Sequence, residues 1–174
     1  MTEQEFINLY NENLDKVFRF VFLRVDSTEI AQDLTHQSFL KLWRSNNNNI
    51  KNTKAFLFQI ARNELIDYYR KRNSNPLSLD ALEENGIEIP SNSFQNKIEL
   101  NFEMEKLKKA LNQIKSEYSE IIIWHYIDNL SIKEISEILN KKENNVRVLL
   151  HRALEALKAL INTDKNTDNI EKHG

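Results

Sequence analysis

A chain of 174 residues exceeds the commonest single-domain size of roughly 100 to 150 residues but cannot hold two large cores, so one or two small domains are the options. Two glycines, two prolines, 40% hydrophobic and 29% charged residues describe a folded, helix-rich chain, because strand-rich domains need turn residues at short intervals. The lack of cysteine excludes a disulfide framework and a thiolate metal site, and a formal charge of −2 is not the basic balance typical of a nucleic-acid binder, so any such role depends on where the charge sits.

The first residues (Met1, Thr2, Glu3, Gln4, Glu5) are polar and acidic where a secretion signal would be basic and then apolar. No apolar run approaches the ~20 residues that span a bilayer, so a cytoplasmic location is expected. Thr2 followed by Glu5 is a capping-box pattern, and Phe6, Leu9, Tyr10, Leu14, Val17 and Val21 repeat behind it at helical spacing. A second helix is predicted from Asp26 or Ser27, with Ile30, Ala31, Leu34, Phe39 and Leu42 along it, as far as Trp43. The run Asn46 to Asn49 breaks it. A third starts near Asn52 or Thr53 and carries Leu57, Ile60, Ala61, Leu65 and Tyr68 on one face. It ends in Arg70, Lys71 and Arg72, which suit the negative end of a helix dipole.

Both prolines, Pro76 and Pro90, and the one internal glycine, Gly86, fall between Asn73 and Asn96. This stretch also holds Asp80, Glu83, Glu84 and Glu88 without a cation, so it reads as a flexible acidic linker. Beyond it Leu107, Leu111, Ile114 and Tyr118 mark one helix, and the apolar stretch Ile121 to Trp124 a buried one. Ser131 with Glu134 forms a second capping box that opens a short helix, Ile132 to Leu139. A turn at Asn140, Lys141 and Lys142 leads to a last helix with Val146, Leu150, Ala153, Leu157 and Leu160 inward. Two helices joined by so short a turn form a helix-turn-helix. The expected architecture is all-α: two small helical domains joined by a flexible acidic linker, the second containing the helix-turn-helix. The boundaries are 1–72, 73–97 and 98–161, with a polar, disordered tail at 162–174.

Each domain has one basic helix. Residues 54–72 carry Lys54, Arg62, Arg70, Lys71 and Arg72 against Glu64 and Asp67, and residues 139–161 carry Lys141, Lys142, Arg147, Arg152 and Lys158 against Glu143 and Glu155. Such helices can neutralise phosphates, and a solvated helix face would have the same composition. The first also carries Phe56, Phe58, Tyr68 and Tyr69, rings that suit unstacked bases, although a three-helix domain needs large apolar residues such as Phe56 and Phe58 for its core. His36, His125, His151 and His173 are scattered without zinc spacing, and no glycine-rich phosphate loop or nucleophile elbow is present. No catalytic residue, metal, cofactor or small-molecule substrate is expected.

From about Leu9 to Ile161 the chain resembles bacterial RNA polymerase sigma factors of the extracytoplasmic-function group. Ala31, Asp33 and Leu34 with Phe39, Leu40 and Trp43 are similar to that family's polymerase-clamp-binding helix; Ala55, Phe56, Leu57, Ile60, Ala61, Arg62, Asn63, Asp67 and Arg70 are similar to the helix after it. Leu130, Ser131, Glu134, Ile135 and Leu139, then Val146, Leu150, Arg152, Ala153 and Leu157, resemble its promoter-reading helix-turn-helix.

The resemblance implies a factor that brings the core enzyme to promoters and helps melt them. Asp33, His36, Gln37, Phe39, Leu40 and Trp43 would bind core polymerase. Asn49, Asn52, Lys54, Arg62, Asn63, Asp67, Arg70, Lys71 and Arg72 would hold the single-stranded downstream (−10) element. Lys141, Lys142, Asn144, Asn145, Arg147, His151 and Arg152 would face the double-stranded upstream (−35) element. An anti-sigma factor, soluble or held at a membrane, is a further implied partner. His36 and Gln37 stand where the family usually has Gln and Glu, and Asn140 where it has a turn glycine, a change that Asn's ease in the left-handed region accommodates. The competing readings are a helix-turn-helix regulator with a sensing first block and a helical adaptor that binds only protein.

Overall fold

The computed structural model describes residues 1–45, 50–74 and 102–170, the last stretch with side chains from 105 to 162. Seven α-helices and no strand occur among them. The Asn-rich run 46–49 and the linker from residue 75 on lie outside the described residues.

α1 (Glu3–Phe22) opens with the expected capping box: Glu5 N–H donates to Thr2 Oγ1 at 3.2 Å, and Thr2 N–H donates to Glu5 Oε2 at 2.8 Å. α2 (Thr28–Arg44) is capped by Ser27, whose Oγ accepts from Ile30 N–H. α3 (Thr53–Ser74) is capped by Asn52, whose Oδ1 accepts from Ala55 N–H at 3.0 Å. These caps satisfy amides that a first helical turn leaves without partners. The three helices bury Val17, Val21, Ala31, Leu34, Phe39, Leu42, Leu57, Ala61 and Leu65.

The second domain departs from the sequence reading in three places. Leu107 through Tyr118 form two helices, α4 (Phe102–Gln113) and α5 (Ser116–Ile122), because Lys115 takes an extended backbone (φ −56°, ψ 138°) between them. α5 then continues into a π-helical turn, Ile123–Ile127, closed by Asp128 N–H on Ile123 O at 2.9 Å. The last helix, α7 (Glu143–Ile170), runs past residue 161, where the reading ended it. The apolar repeat stops there and residues 162–169 are mostly the weak helix formers Asn, Thr and Asp, so the extension has neither packing nor propensity behind it and continues only where no proline or glycine breaks the chain.

The helix-turn-helix itself follows the sequence. α6 (Ile132–Leu139) has its capping box, and Asn140 ends it in the left-handed region (φ 51°, ψ 43°). Asn140 N–H donates to Glu137 O and Lys141 N–H to Ser136 O, the paired bonds of a Schellman motif. A Cβ-bearing residue there costs about 1 kcal/mol unless, like Asn, it tolerates that region. Asn140→Ala is therefore expected to lose about 1 kcal/mol in thermal unfolding, with Asn140→Gly at or above wild type.

The domains do not sit apart. The C-terminal half of α1 buries residues all round (Val17, Phe18, Phe20, Val21, Phe22), because its second side packs on the other domain. Trp124, fully buried, stacks on Phe20 at 5.0 Å and meets the edge of Phe58 at 6.3 Å. α3 also packs against α6, so one continuous core runs through both domains.

Candidate nucleic-acid interface

α7 presents the clearest surface. Val146, Leu150 and Ala153 anchor it to α5 and α6, so the other side of the helix must face solvent. There Lys141, Lys142, Asn144, Asn145, Arg147, His151 and Arg152 are all exposed. Arg147 is steadied by Glu143 Oε2 at 2.9 Å and Asn144 Oδ1 at 3.1 Å, and Lys141 by Glu117 at 3.5 Å. Such exposed pairs are weak and exchange readily for phosphates or base edges. All seven residues predicted for duplex contact are thus open to solvent.

α2 forms a second surface. Asp33, Gln37 and Trp43 are exposed, and His36 and Leu40 half-buried. Burial lowers the His36 pKa against the opposing pull of Asp33, which favours a neutral ring. Trp43, 46% exposed, rests on Phe6 of α1 at 4.8 Å. Phe39 corrects the sequence reading: it is 2% exposed and turned inward against Tyr10 and Phe6, so it supports this surface from beneath.

The residues predicted for the single strand divide into two groups. Asn63, Arg70, Lys71 and Arg72 are exposed, Arg70 pairing with the half-buried Asp67 at 3.1 Å and Arg72 with Asp26. Asn52, Lys54 and Arg62 are engaged by the other domain. Asn52 Nδ2 donates to Glu137, Lys54 Nζ to Glu134, and Arg62 Nε to Glu120 Oε2 at 2.8 Å. Asn49 lies outside the described residues. Of the four rings noted on this helix, Phe58 is core, fully buried against Trp124, while Phe56, Tyr68 and Tyr69 are half-buried.

The sequence reading missed the acidic partners. Glu120, 1% exposed, receives Arg24 Nη1 at 3.0 Å as well as Arg62. Asp128, its side chain wholly buried, accepts from Arg19 Nε at 2.8 Å while its second oxygen has no partner. Burial pushes the Asp128 carboxyl up to about 6 despite that guanidinium. At Glu134 burial acts upward, but Lys54 and Ser131 together outweigh it and hold the carboxyl at about 2. One signal could have marked Glu120: a lone carboxylate directly before the apolar run Ile121 to Trp124 needs a buried cation.

Both domains match known families. A model of sigma-70 region 2 matches residues 9–75, and one of sigma-70 region 4 matches residues 104–157. The curated relative ECF RNA polymerase sigma factor SigM of Bacillus subtilis (strain 168) is 29% identical over 97% of this chain and 100% of its own length. Two solved structures share the fold. CnrH, in complex with the cytosolic domain of CnrY, has a TM-score of 0.67 and 19% identity over 94% of this chain and 91% of that one. The sigma factor RpoE, in complex with the anti-sigma factor NepR from Bartonella quintana, has a TM-score of 0.65 and 23% identity over 92% and 99%. With region 2 on the α1–α3 side, region 4 over the helix-turn-helix and a full-length relative of that kind, the chain belongs to the extracytoplasmic-function group of sigma factors, which direct RNA polymerase to promoters in transcription initiation.

Proposed function

We propose that residues 1–72 bind core polymerase and the downstream element, that 98–161 read the upstream element, and that 73–97 link them ahead of a tail at 162–174. The observation that carries this reading is the placement of two exposed contact faces on separate domains: Trp43, Asp33 and Gln37 on α2, and the Arg147 face on α7. Its sigma-factor relatives support a role exercised by binding polymerase and DNA, and a cytoplasmic location fits that role. No group of His, Asp or Glu among the described residues could hold a metal ion, and no helix among them is long and apolar enough to cross a membrane. A groove of about 530 Å³ between the domains includes Arg24, Tyr69, Ser116 and Ser119, whose polar groups already bond to one another or to backbone. By analogy with RpoE bound to NepR, an anti-sigma factor is the regulatory partner.

Two measurements test the assignment. Trp43 offers a large ring, half of it open, on a rigid aromatic base, the kind of anchor that dominates interfaces. Trp43→Ala is expected to weaken association with core polymerase by about 2 kcal/mol, and Asp33→Ala by less, while circular dichroism stays unchanged; wild-type affinity in both would remove α2 from the interface. On α7, Arg147 lies in the first turns, where base edges come within reach. Arg147→Ala is expected to cost about 1–3 kcal/mol on the preferred upstream sequence and little on others, read by competition with scrambled duplexes. Equal loss on all sequences would assign it to phosphate.

A further inference from the structure

We infer that Val148 reads the C5-methyl group of a thymine in the upstream element, a specificity contact at the centre of a face whose other side chains are polar. The inference rests on the assignment of α7 to the upstream duplex. Val146, Leu150 and Ala153 are buried and fix α7 against α5 and α6. At about 100° per residue, Val148 is turned about 140–160° from each of the three, so it stands on the side farthest from the fold. Asn144 and Arg152, one turn before and one after, lie within about 40° of its direction, and Asn145 and His151 within about 60°. All four are exposed, as is Arg147 beside them. Val148 belongs to the second turn of the helix, among the N-terminal residues of a recognition helix that come within reach of base edges.

A valine at this position does little for the fold. It is 51% exposed, and its β-branch makes it a poorer helix former than the lysine, arginine or glutamine that suit a solvated face. What it supplies is an aliphatic surface among hydrogen-bonding groups. The edges of the bases in the major groove match that description: donors and acceptors throughout, and one aliphatic group, the thymine methyl. Asn144, Asn145, Arg147 and Arg152 can bond polar edges or phosphates, but a methyl group is read only by an apolar neighbour. The isolation of Val148 also argues against a protein partner. Its neighbours on this side are amides, an imidazole, a cation and Glu155, which pairs with Lys158 at 3.6 Å. The apolar surface is therefore one side chain wide, where a protein-binding patch covers on the order of several hundred Å².

The test uses holoenzyme assembled from core polymerase and the full chain, with the upstream duplex that it selects from a randomised pool. Each thymine of that duplex, on either strand, is replaced singly by deoxyuridine, which removes the methyl and keeps every hydrogen-bonding group. Wild type is expected to lose about fourfold in affinity at one position, the worth of one buried methyl-sized group. Val148→Ser is expected to bind the thymine and deoxyuridine duplexes alike at that position; serine is no poorer a helix former than valine and the site lies outside the core, so the variant folds. Raising the salt should lower overall affinity and leave the wild-type thymine-to-deoxyuridine ratio unchanged, because a methyl contact releases no counterion. A selected duplex without thymine, no loss in wild type at any thymine, or a loss that Val148→Ser retains overturns the inference. Arg147→Ala on the same duplexes then locates the fault: weakened binding keeps α7 on the DNA and leaves Val148 alone in error, whereas wild-type affinity places the error in the assignment of α7.

Discussion

Trp124→Ala is expected to lower the free energy of unfolding by about 3–5 kcal/mol, the range for truncating a large buried aromatic side chain. Trp124 is fully buried and joins the domains by stacking on Phe20 and meeting Phe58 edge-on, so truncation opens a cavity bounded by three helical elements that cannot all collapse into it. Its indole N–H has no acceptor, which makes Trp124→Phe the informative companion. Removing an unsatisfied buried donor offsets part of the lost volume, so Phe is expected to cost well under half as much as Ala. The chain has two tryptophans, and the other, Trp43, is 46% exposed. Loss of the blue-shifted part of the emission in Trp124→Phe, with urea unfolding followed by circular dichroism, checks both the burial and the energy. Equal costs for Ala and Phe would contradict the unsatisfied indole.

Glu120→Ala is expected to cost about 3–5 kcal/mol, because it strands Arg24, whose side chain is 3% exposed, without its carboxylate. The charge is the issue more than the contact. Taking two charges out of water offsets most of their attraction, so the double variant Arg24→Met with Glu120→Leu is expected to lose far less than Glu120→Ala alone. A double-mutant cycle built from Arg24→Met, Glu120→Leu and their combination measures the coupling. Salt is a further check: added chloride should hardly change the Arg24–Glu120 coupling and should weaken that of Lys54 with Glu134, whose side chains are about one-third exposed.

Local signals in the sequence led directly to local structure. Thr2 with Glu5 and Ser131 with Glu134 were readable as capping boxes, and both form. Asn140 was readable as a left-handed turn residue, and the exposed Arg147 face follows from the apolar repeat on its opposite side. The resemblance extended this to the two domains and their order. What stayed hidden has no local signature. Arg24 and Glu120 are 96 positions apart, Arg19 and Asp128 109, and Lys54 and Glu134 80, so no spacing rule links them. Phe20 opens an apolar run, Phe20 to Leu23, in which a helical stripe cannot be told from a helix buried all round, and only the docked second domain explains it. Phe39 failed for a related reason: a motif names the helix that makes a contact, while burial decides which of its side chains reach the surface.

The π-helical turn at Ile123–Ile127 bears on how this part of the chain tolerates length changes. It accommodates one residue more than an α-helical turn would, and the bonds from Asp128 N–H to Ile123 O and from Leu130 N–H to Trp124 O close it. Each residue of an α-helix advances the direction of its side chain by about 100°. Deleting one codon within the turn would convert it to an ordinary α-helical turn, which covers nearly the same rotation with one residue fewer, so the chain beyond would keep its direction relative to Trp124. Deleting a residue from the regular α-helical part of α5 would instead turn everything beyond it by about 100°, so that Glu134 and Glu137 would swing off α3 and the Arg147 face would point elsewhere. A length change is thus absorbed where the helix is already wide and acts on the aim of the whole helix-turn-helix where it is not.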